Sequence, residues 1–125
     1  MGLTEEDKEE ISISEENIKV VLEGMRSVAL EQGGTAYNIF KDFDIEVGGK
    51  TGSAEAGENV NAWFAGFAPF DNPEICVVVM VENGGHGNYT AEVAREIIAE
   101  YFGMNINSEE IKEDNSAERY TETIN

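Results

Sequence analysis

Two short segments, 62–68 and 75–81, are apolar at almost every position, and they constrain the fold of this chain more than any other feature. Their length, their β-branched and aromatic content and the turn residues between them predict two neighbouring strands. A strand that is apolar on both faces needs cover on both. The sequence therefore favours the middle of a larger α/β structure over a self-sufficient small domain.

Apolar residues at helical spacing predict a helix on each side of these strands. The first covers about 14–31 and can begin at Ser12 or Ser14, both of which are good N-caps. The second covers about 91–102, with Thr90 as its cap. We expect its inner face to comprise Ala94, Ile97, Ile98 and Tyr101.

A third strand is predicted before the two apolar ones. Apolar and polar residues alternate over 43–47, and this pattern leads into 48–53, whereas 55–59 has the composition of a loop. Short links between strands indicate antiparallel pairing. The predicted fold class is α/β in the α+β sense: a three-stranded antiparallel meander flanked by an N-terminal and a C-terminal helix.

Composition divides the chain into three parts. Residues 1–13 are mostly charged and are expected to form a mobile acidic leader. Residues 14–104 contain the predicted helices and strands and form the folded portion. Residues 105–125 are polar without periodicity, so we expect a disordered tail.

The net charge of −18, from 26 acidic and 8 basic residues, excludes several classes of partner. Nucleic acid and anionic membrane surfaces both require clustered Lys and Arg. A single cysteine rules out a disulfide within the chain and a zinc site built on several cysteines. Cys76 is expected to be a buried core residue. We expect no cofactor and no metal.

The segment Lys50-Thr51-Gly52-Ser53 carries the chemistry of the sequence. On a strand, Lys50 offers a positive charge, and the hydroxyls of Thr51 and Ser53 face the same side. Gly52 leaves room for a substrate lying along the strand. An extended peptide ending in a carboxylate could pair with such an edge.

Two other interpretations of this segment are a phosphate-binding loop and a plain strand end. A phosphate-binding loop would need Gly where Asp44 stands and a helix after Lys50-Thr51, but the following residues have the composition of a loop. A Lys-Thr-Gly triplet by itself is also compatible with a plain strand that enters a glycine-rich bend. The flanking sequence decides between these possibilities.

Segment 47–55 resembles the Lys-Thr-Gly box of the penicillin-binding transpeptidases. Segments 61–69 and 73–84 resemble the two strands that follow this box in that family, and 91–98 resembles its closing helix. Upstream, Gly24-Met25-Arg26 and Gly34-Thr35-Ala36 also fit. The resemblance runs from about residue 17 to residue 102 in family order, and it is closest to the elongation-type class B enzymes.

The resemblance implies roles for four residues. Lys50 would stabilise the alkoxide of the serine nucleophile, and Thr51 and Ser53 would bind the terminal carboxylate of a D-Ala-D-Ala stem peptide or of a penicillin. The backbone N–H of Ser53 would form half of the oxyanion hole. Gly52 would keep the strand open to the substrate.

Two family motifs, Ser-x-x-Lys and Ser-x-Asn, are absent, since no serine here has Lys three positions or Asn two positions later. In the family both precede Lys-Thr-Gly, so we expect the chain to be the C-terminal part of a transpeptidase domain and inactive alone. The parent protein would cross-link peptidoglycan, react with β-lactams and be anchored outside the cytoplasmic membrane.

The expected partners are the missing N-terminal part of the same domain and, through an exposed strand edge or face, a second copy of the chain. The alternative hypothesis is a stand-alone, non-catalytic binding or interaction module related to that fold.

Overall fold

Three helices and three strands follow one another along the part of the chain that the structure describes. A computed structural model describes residues 12–57, 59–85 and 88–104, without the side chain at position 56. The predictions for 1–11 and 105–125 lie outside the described residues. The elements are α1 (Glu15–Leu30), α2 (Tyr37–Phe40), β1 (Gly48–Ala56), β2 (Asn59–Ala68), β3 (Ile75–Val81) and α3 (Tyr89–Tyr101).

The strands form one antiparallel sheet in the order β1-β2-β3, which confirms the predicted meander. β3 has the predicted bounds, and β2 begins at Asn59, three residues earlier than predicted. β1 runs on to Ala56, so the expected loop at 55–59 is reduced to a tight turn containing Gly57. The φ of 68° at Gly57 is one that glycine adopts without strain.

The prediction that β1 begins near residue 43 is wrong, because the strand begins at Gly48. The amide of Phe43 donates a hydrogen bond to the carbonyl of Phe40 (2.9 Å), which closes a turn after α2. The Phe43 ring also packs edge-on against the Phe40 ring, at 5.8 Å between centroids. Phe43 therefore lies in a turn packed against α2, although the alternating pattern predicts a strand there.

Helix α1 begins where the sequence places it. Ser14 is the N-cap, and its hydroxyl accepts a hydrogen bond from the amide of Asn17 (3.3 Å). In α3, Thr90 is a buried residue inside the helix rather than the cap. No helix in the described ranges is long and apolar enough to cross a membrane.

The inner face of α3 differs in part from the prediction. Ala94 and Ile98 are fully buried, but the side chains of Ile97 and Tyr101 are 43% and 54% exposed. Ala91 completes the buried stripe instead. Positions 91, 94 and 98 follow the three- and four-residue spacing of one helix face, and 97 and 101 lie beside it.

The core lies between one face of the sheet and the helices. α3 packs on β2 and β3, whereas α1 packs beside β1. At the centre the rings of Phe40 and Phe64 stack at 5.7 Å between centroids, and both are fully buried. The sheet is therefore tied to α2 through aromatic contact.

Glycines in β1 and β2 make room for aromatic rings on both faces of the sheet. A Cβ atom on Gly49 would lie 2.6 Å from the Phe64 ring, and one on Gly66 would lie 2.7 Å from the same ring. A Cβ on Gly48 would lie 2.5 Å from the Phe67 ring. Two rings of β2 thus occupy the space that side chains of β1 would otherwise fill.

The opposite face of the sheet is bare in the described part of the chain. It presents Trp63, Cys76, Val78 and Met80, and we call these four residues the open sheet face. Val78 is 61% exposed and Trp63 is 38% exposed. The prediction that Cys76 is buried is therefore wrong, because Cys76 points to the face that the helices leave uncovered.

The first half of α1 carries a second exposed apolar surface. Its members are Ile18, Val20, Val21 and Leu22. The described helices therefore cover only one of the two apolar faces that the strand sequences require.

Candidate functional site

The segment predicted to carry the chemistry lies in β1, an edge strand of the sheet. Thr51 stands opposite the buried Phe64, and Ser53 stands opposite Ala62, so both hydroxyl side chains belong to one face of the strand. Lys50 stands opposite Ala65 and belongs to the other face. The strand thus separates the cation from the two hydroxyls.

Lys50 is exposed, and its ammonium donates to the backbone carbonyl of Thr51 (Nζ to O, 2.5 Å). In the described ranges no carboxylate lies within ion-pair distance of it. A neutral carbonyl is a weaker partner for an ammonium than a carboxylate is. An anionic ligand arriving at this edge can therefore recruit the Lys50 charge.

The hydroxyl of Thr51 is engaged by Thr35, at 2.7 Å between the two Oγ1 atoms. Thr35 lies in the connection between α1 and α2, 16 residues before Thr51. Sequence reasoning did not single out Thr35. The signal that could have found it is the segment Gly34-Thr35-Ala36, which resembles the family but carried no assigned role.

Gly52 and Ser53 leave the outer half of the segment accessible. A Cβ on Gly52 would approach only the Cβ of Trp63, at 3.3 Å, and Ser53 is exposed. A substrate could therefore lie along this part of β1 without meeting a side chain at position 52.

A shallow cavity of about 500 Å³ adjoins the segment. It lies between the last turns of α1 and the edge of β1, and both Lys50 and Thr35 line it. Glu31 lies on its α1 side. The site thus combines an uncommitted cation, a pair of linked hydroxyls and an open strand edge, which is a donor set suited to a carboxylate.

Two other chemistries do not fit this geometry. A phosphate-binding loop would place Lys50 at the head of a helix, but Lys50 lies within β1. Among the residues that the structure describes, no group of three or more His, Cys, Asp or Glu could hold a metal ion. His86 lies outside the described residues.

The sequence model of the penicillin-binding protein transpeptidase domain matches residues 3–102. The chain belongs to this family, and it is a portion of a class B penicillin-binding transpeptidase domain. The matched range contains all the described helices and strands. The resemblance of the Lys-Thr-Gly region therefore extends to every helix and strand that the structure describes.

Curated relatives agree with the family match. The peptidoglycan D,D-transpeptidase MrdA of Haemophilus influenzae is 32% identical over 100 positions, covering 66% of this chain and 15% of the relative. MrdA of Escherichia coli K12 is 30% identical over 92 positions, covering 61% of this chain and 14% of the relative. The chain thus spans about 15% of the length of these curated relatives.

Solved structures show the same fold. Pseudomonas aeruginosa PBP2, determined in complex with WCK 5153, has a TM-score of 0.64 and 36% identity, over 69% of this chain and 20% of that one. Penicillin-binding protein A of Mycobacterium tuberculosis, an imipenem acyl-enzyme complex, has a TM-score of 0.56 and 29% identity, over 72% of this chain and 20% of that one. These matches confirm that the meander with its helices is part of the penicillin-binding transpeptidase fold.

Proposed function

We propose that this chain provides the carboxylate-binding strand in the active site of a peptidoglycan D,D-transpeptidase. The observation that carries the proposal is an edge strand that bears both Lys50, whose ammonium donates to a neutral backbone carbonyl, and the Thr51 hydroxyl, which is linked to Thr35. The donor set matches the terminal carboxylate of a stem peptide ending in D-Ala-D-Ala, and equally that of a β-lactam.

In the proposed reaction the serine nucleophile comes from residues outside this chain. Its Oγ attacks the carbonyl of the penultimate D-Ala, the bond to the terminal D-Ala breaks, and that residue leaves with a proton on its nitrogen. An amine of a second stem peptide then attacks the acyl-enzyme and releases the serine. A β-lactam would follow the first step only, with its ring amide as the bond that opens.

The four residues of the segment have distinct parts in this scheme. Lys50 stabilises the negative charge that develops on the serine oxygen. This lowers the barrier only if the ammonium lies where that charge develops. Thr51 and Ser53 donate hydrogen bonds to the substrate carboxylate. Gly52 leaves the strand unobstructed, and the Ser53 amide contributes to the oxyanion hole.

The open sheet face and the exposed half of α1 are proposed to contact the remainder of the same transpeptidase domain. Support comes from the exposure of Trp63 and Val78 and from the short span of the chain relative to its relatives. Each Å² of apolar surface buried in this contact would stabilise the complete domain by about 25 cal/mol.

Fluorescent penicillin tests the proposed site directly. We expect the chain alone to remain unlabelled and a protein extended N-terminally through Ser-x-x-Lys to be labelled at that serine. Lys50→Ala in the extended protein should slow acylation by about 100-fold or more, the usual loss for one stabilising donor. Lys41→Ala is the matched control, since Lys41 is a half-exposed lysine 3.8 Å from Asp42 and away from β1.

Two outcomes would contradict the proposal. Labelling of the chain alone at one of its own serines would show that the nucleophile has been misassigned. Equal acylation rates for Lys50→Ala and Lys41→Ala would remove Lys50 from the site.

The covering of the open sheet face has its own test. Trp63 is the only tryptophan of the chain, so its fluorescence reports on that face without a label. Mixing the chain with a separately produced N-terminal part of the domain should shift the emission to the blue and reduce quenching by acrylamide. Val78→Lys should prevent both changes, and unchanged emission in the unsubstituted mixture would favour the stand-alone interaction module.

A further inference from the structure

We infer that Thr35 is a positioning residue that sets the direction of the Thr51 hydroxyl proton, so that Thr51 donates to the substrate carboxylate. This inference rests on the proposed function and deepens it. It starts from the distance of 2.7 Å between the two Oγ1 atoms, a normal length for a well-formed O–H···O hydrogen bond.

Counting protons decides the direction of this bond. Each hydroxyl has one proton and two acceptor sites. If Thr51 donates its proton to a carboxylate, it cannot also donate to Thr35. The bond between the two residues must then run from the Thr35 O–H to the Thr51 oxygen. Thr35, Thr51 and the carboxylate thus form a chain in which each bond strengthens the next.

Thr35 is held firmly enough to serve this purpose. On one side the amide of Gly34 donates to the Glu31 carbonyl (2.8 Å), and on the other the amide of Ala36 donates to the Val28 carbonyl (3.0 Å). Ala36 is fully buried. The residue between them is therefore fixed to the end of α1, although its own side chain is exposed.

The neighbourhood of Thr35 is consistent with a role in ligand binding. Thr35 and Lys50 line the same cavity beside β1. The Thr51 hydroxyl adjoins this cavity through Thr35, at 2.7 Å between the two Oγ1 atoms. Without Thr35, the Thr51 hydroxyl would rotate freely and would lose entropy on binding a ligand.

The test is a titration of the whole chain with N-acetyl-D-alanyl-D-alanine and with its methyl ester, followed by NMR. The variants are Thr35→Val, which keeps the shape and removes the hydroxyl, Thr35→Ser, which keeps the hydroxyl, and Thr51→Val. The three-bond coupling between the Thr51 hydroxyl proton and its Hβ, which follows the direction of the O–H bond, provides a second readout that needs no ligand.

We expect Thr35→Val to weaken binding of the free acid by about three- to tenfold, the range for loss of one neutral hydrogen bond. Binding of the ester should be unchanged, because the ester has no carboxylate to accept the hydrogen bond from Thr51. Thr35→Ser should restore acid binding. In a Thr51→Val background the Thr35→Val change should have no further effect. In Thr35→Val alone, the coupling between the Thr51 hydroxyl proton and its Hβ should take a rotationally averaged value.

The contrary outcomes are separable. If the unsubstituted chain binds the acid no better than the ester, the proposed function and this inference both fail. If the chain prefers the acid and Thr35→Val leaves that preference and the Thr51 hydroxyl coupling unchanged, the inference fails and the proposed function stands. Equal loss for acid and ester would mean that Thr35 has only a structural role, which also overturns the inference.

Discussion

Arg26 and Glu46 are joined by a forked ion pair, although 20 residues separate them in sequence. The guanidinium Nε and Nη2 atoms donate to the two carboxylate oxygens at 2.8–3.0 Å. The same guanidinium lies 5.5 Å from the centre of the Phe70 ring, and the Phe70 amide donates to the Glu46 carbonyl. The pair thus connects α1 to the entry of β1 and to the β2–β3 turn.

A double-mutant cycle should show that Arg26 and Glu46 act as a unit. The hydrogen bonds and charge of Glu46 raise the pKa of Arg26 above its ordinary value, so Arg26 stays charged at every working pH. We expect Arg26→Gln and Glu46→Gln each to lower the urea midpoint slightly, and the double variant to lower it no further than the larger single effect. About 1 M NaCl should shrink the differences, because both side chains are half-exposed. Strictly additive effects would contradict the pairing.

Phe64 should dominate the stability of the sheet. Its ring is fully buried and stacks on Phe40, so Phe64→Leu is expected to cost about 2 kcal/mol of unfolding free energy and Phe64→Ala about 3–5 kcal/mol. Val78→Ala, on the open sheet face of the neighbouring strand, should change it by about 0.5 kcal/mol or less. Urea unfolding followed by circular dichroism measures both, and similar losses for the two positions would mean that the core has been misplaced.

Alanine substitutions at Gly34 and Gly24 should change the free energy of unfolding in opposite directions. A Cβ on Gly34 would lie 2.5 Å from the Val28 carbonyl oxygen and closer still to that of Ser27, and backbone atoms cannot move aside. Gly34→Ala is therefore expected to cost about 1–3 kcal/mol. Gly24 lies inside α1 with open space around it, so Gly24→Ala should add about 0.5–1 kcal/mol. Thermal unfolding of both variants is the measurement, and a tolerated Gly34→Ala would show that the loop is not fixed against α1.

The chain alone is predicted to self-associate, and salt should promote the association. The open sheet face and the unpaired edge of β3 favour contact with a second copy, whereas the net charge of −18 on each copy opposes it. Added NaCl screens the repulsion. Analytical ultracentrifugation should show dimers increasing with ionic strength.

Two matched substitutions identify the surface that associates. Val78→Lys should abolish dimers if the open sheet face makes the contact, and Val20→Lys should do so if α1 makes it. A monomer at every salt concentration would contradict the prediction.

Much of the fold was predictable because burial leaves a strong periodic signal. The bounds of β3 follow from an unbroken apolar run, and Ser14 was identifiable as a cap from its side chain and position. The start of β1 was not predictable, since alternation over 43–47 fits a strand as well as it fits a turn packed on α2. A helix as short as α2 leaves too few residues for any period to show.

The candidate site was predictable only along the strand itself. The spacing of Thr51 and Ser53 places their side chains on one face whatever the rest of the chain does. Thr35 reaches Thr51 only because the loop after α1 folds back against β1, and no local pattern encodes that approach. Contacts between distant segments were thus the main information that sequence reasoning lacked.

The glycines beside the Phe64 and Phe67 rings restrict which substitutions β1 tolerates. A side chain introduced at Gly49 would collide with the Phe64 ring of the core, and one introduced at Gly48 would collide with the Phe67 ring on the opposite face of the sheet. Substitutions that alter ligand binding must therefore lie beside the strand, in the 31–35 loop that carries Thr35, because substitutions there do not disturb those rings. Under the proposed function, substitutions meant to alter carboxylate binding should begin in that loop.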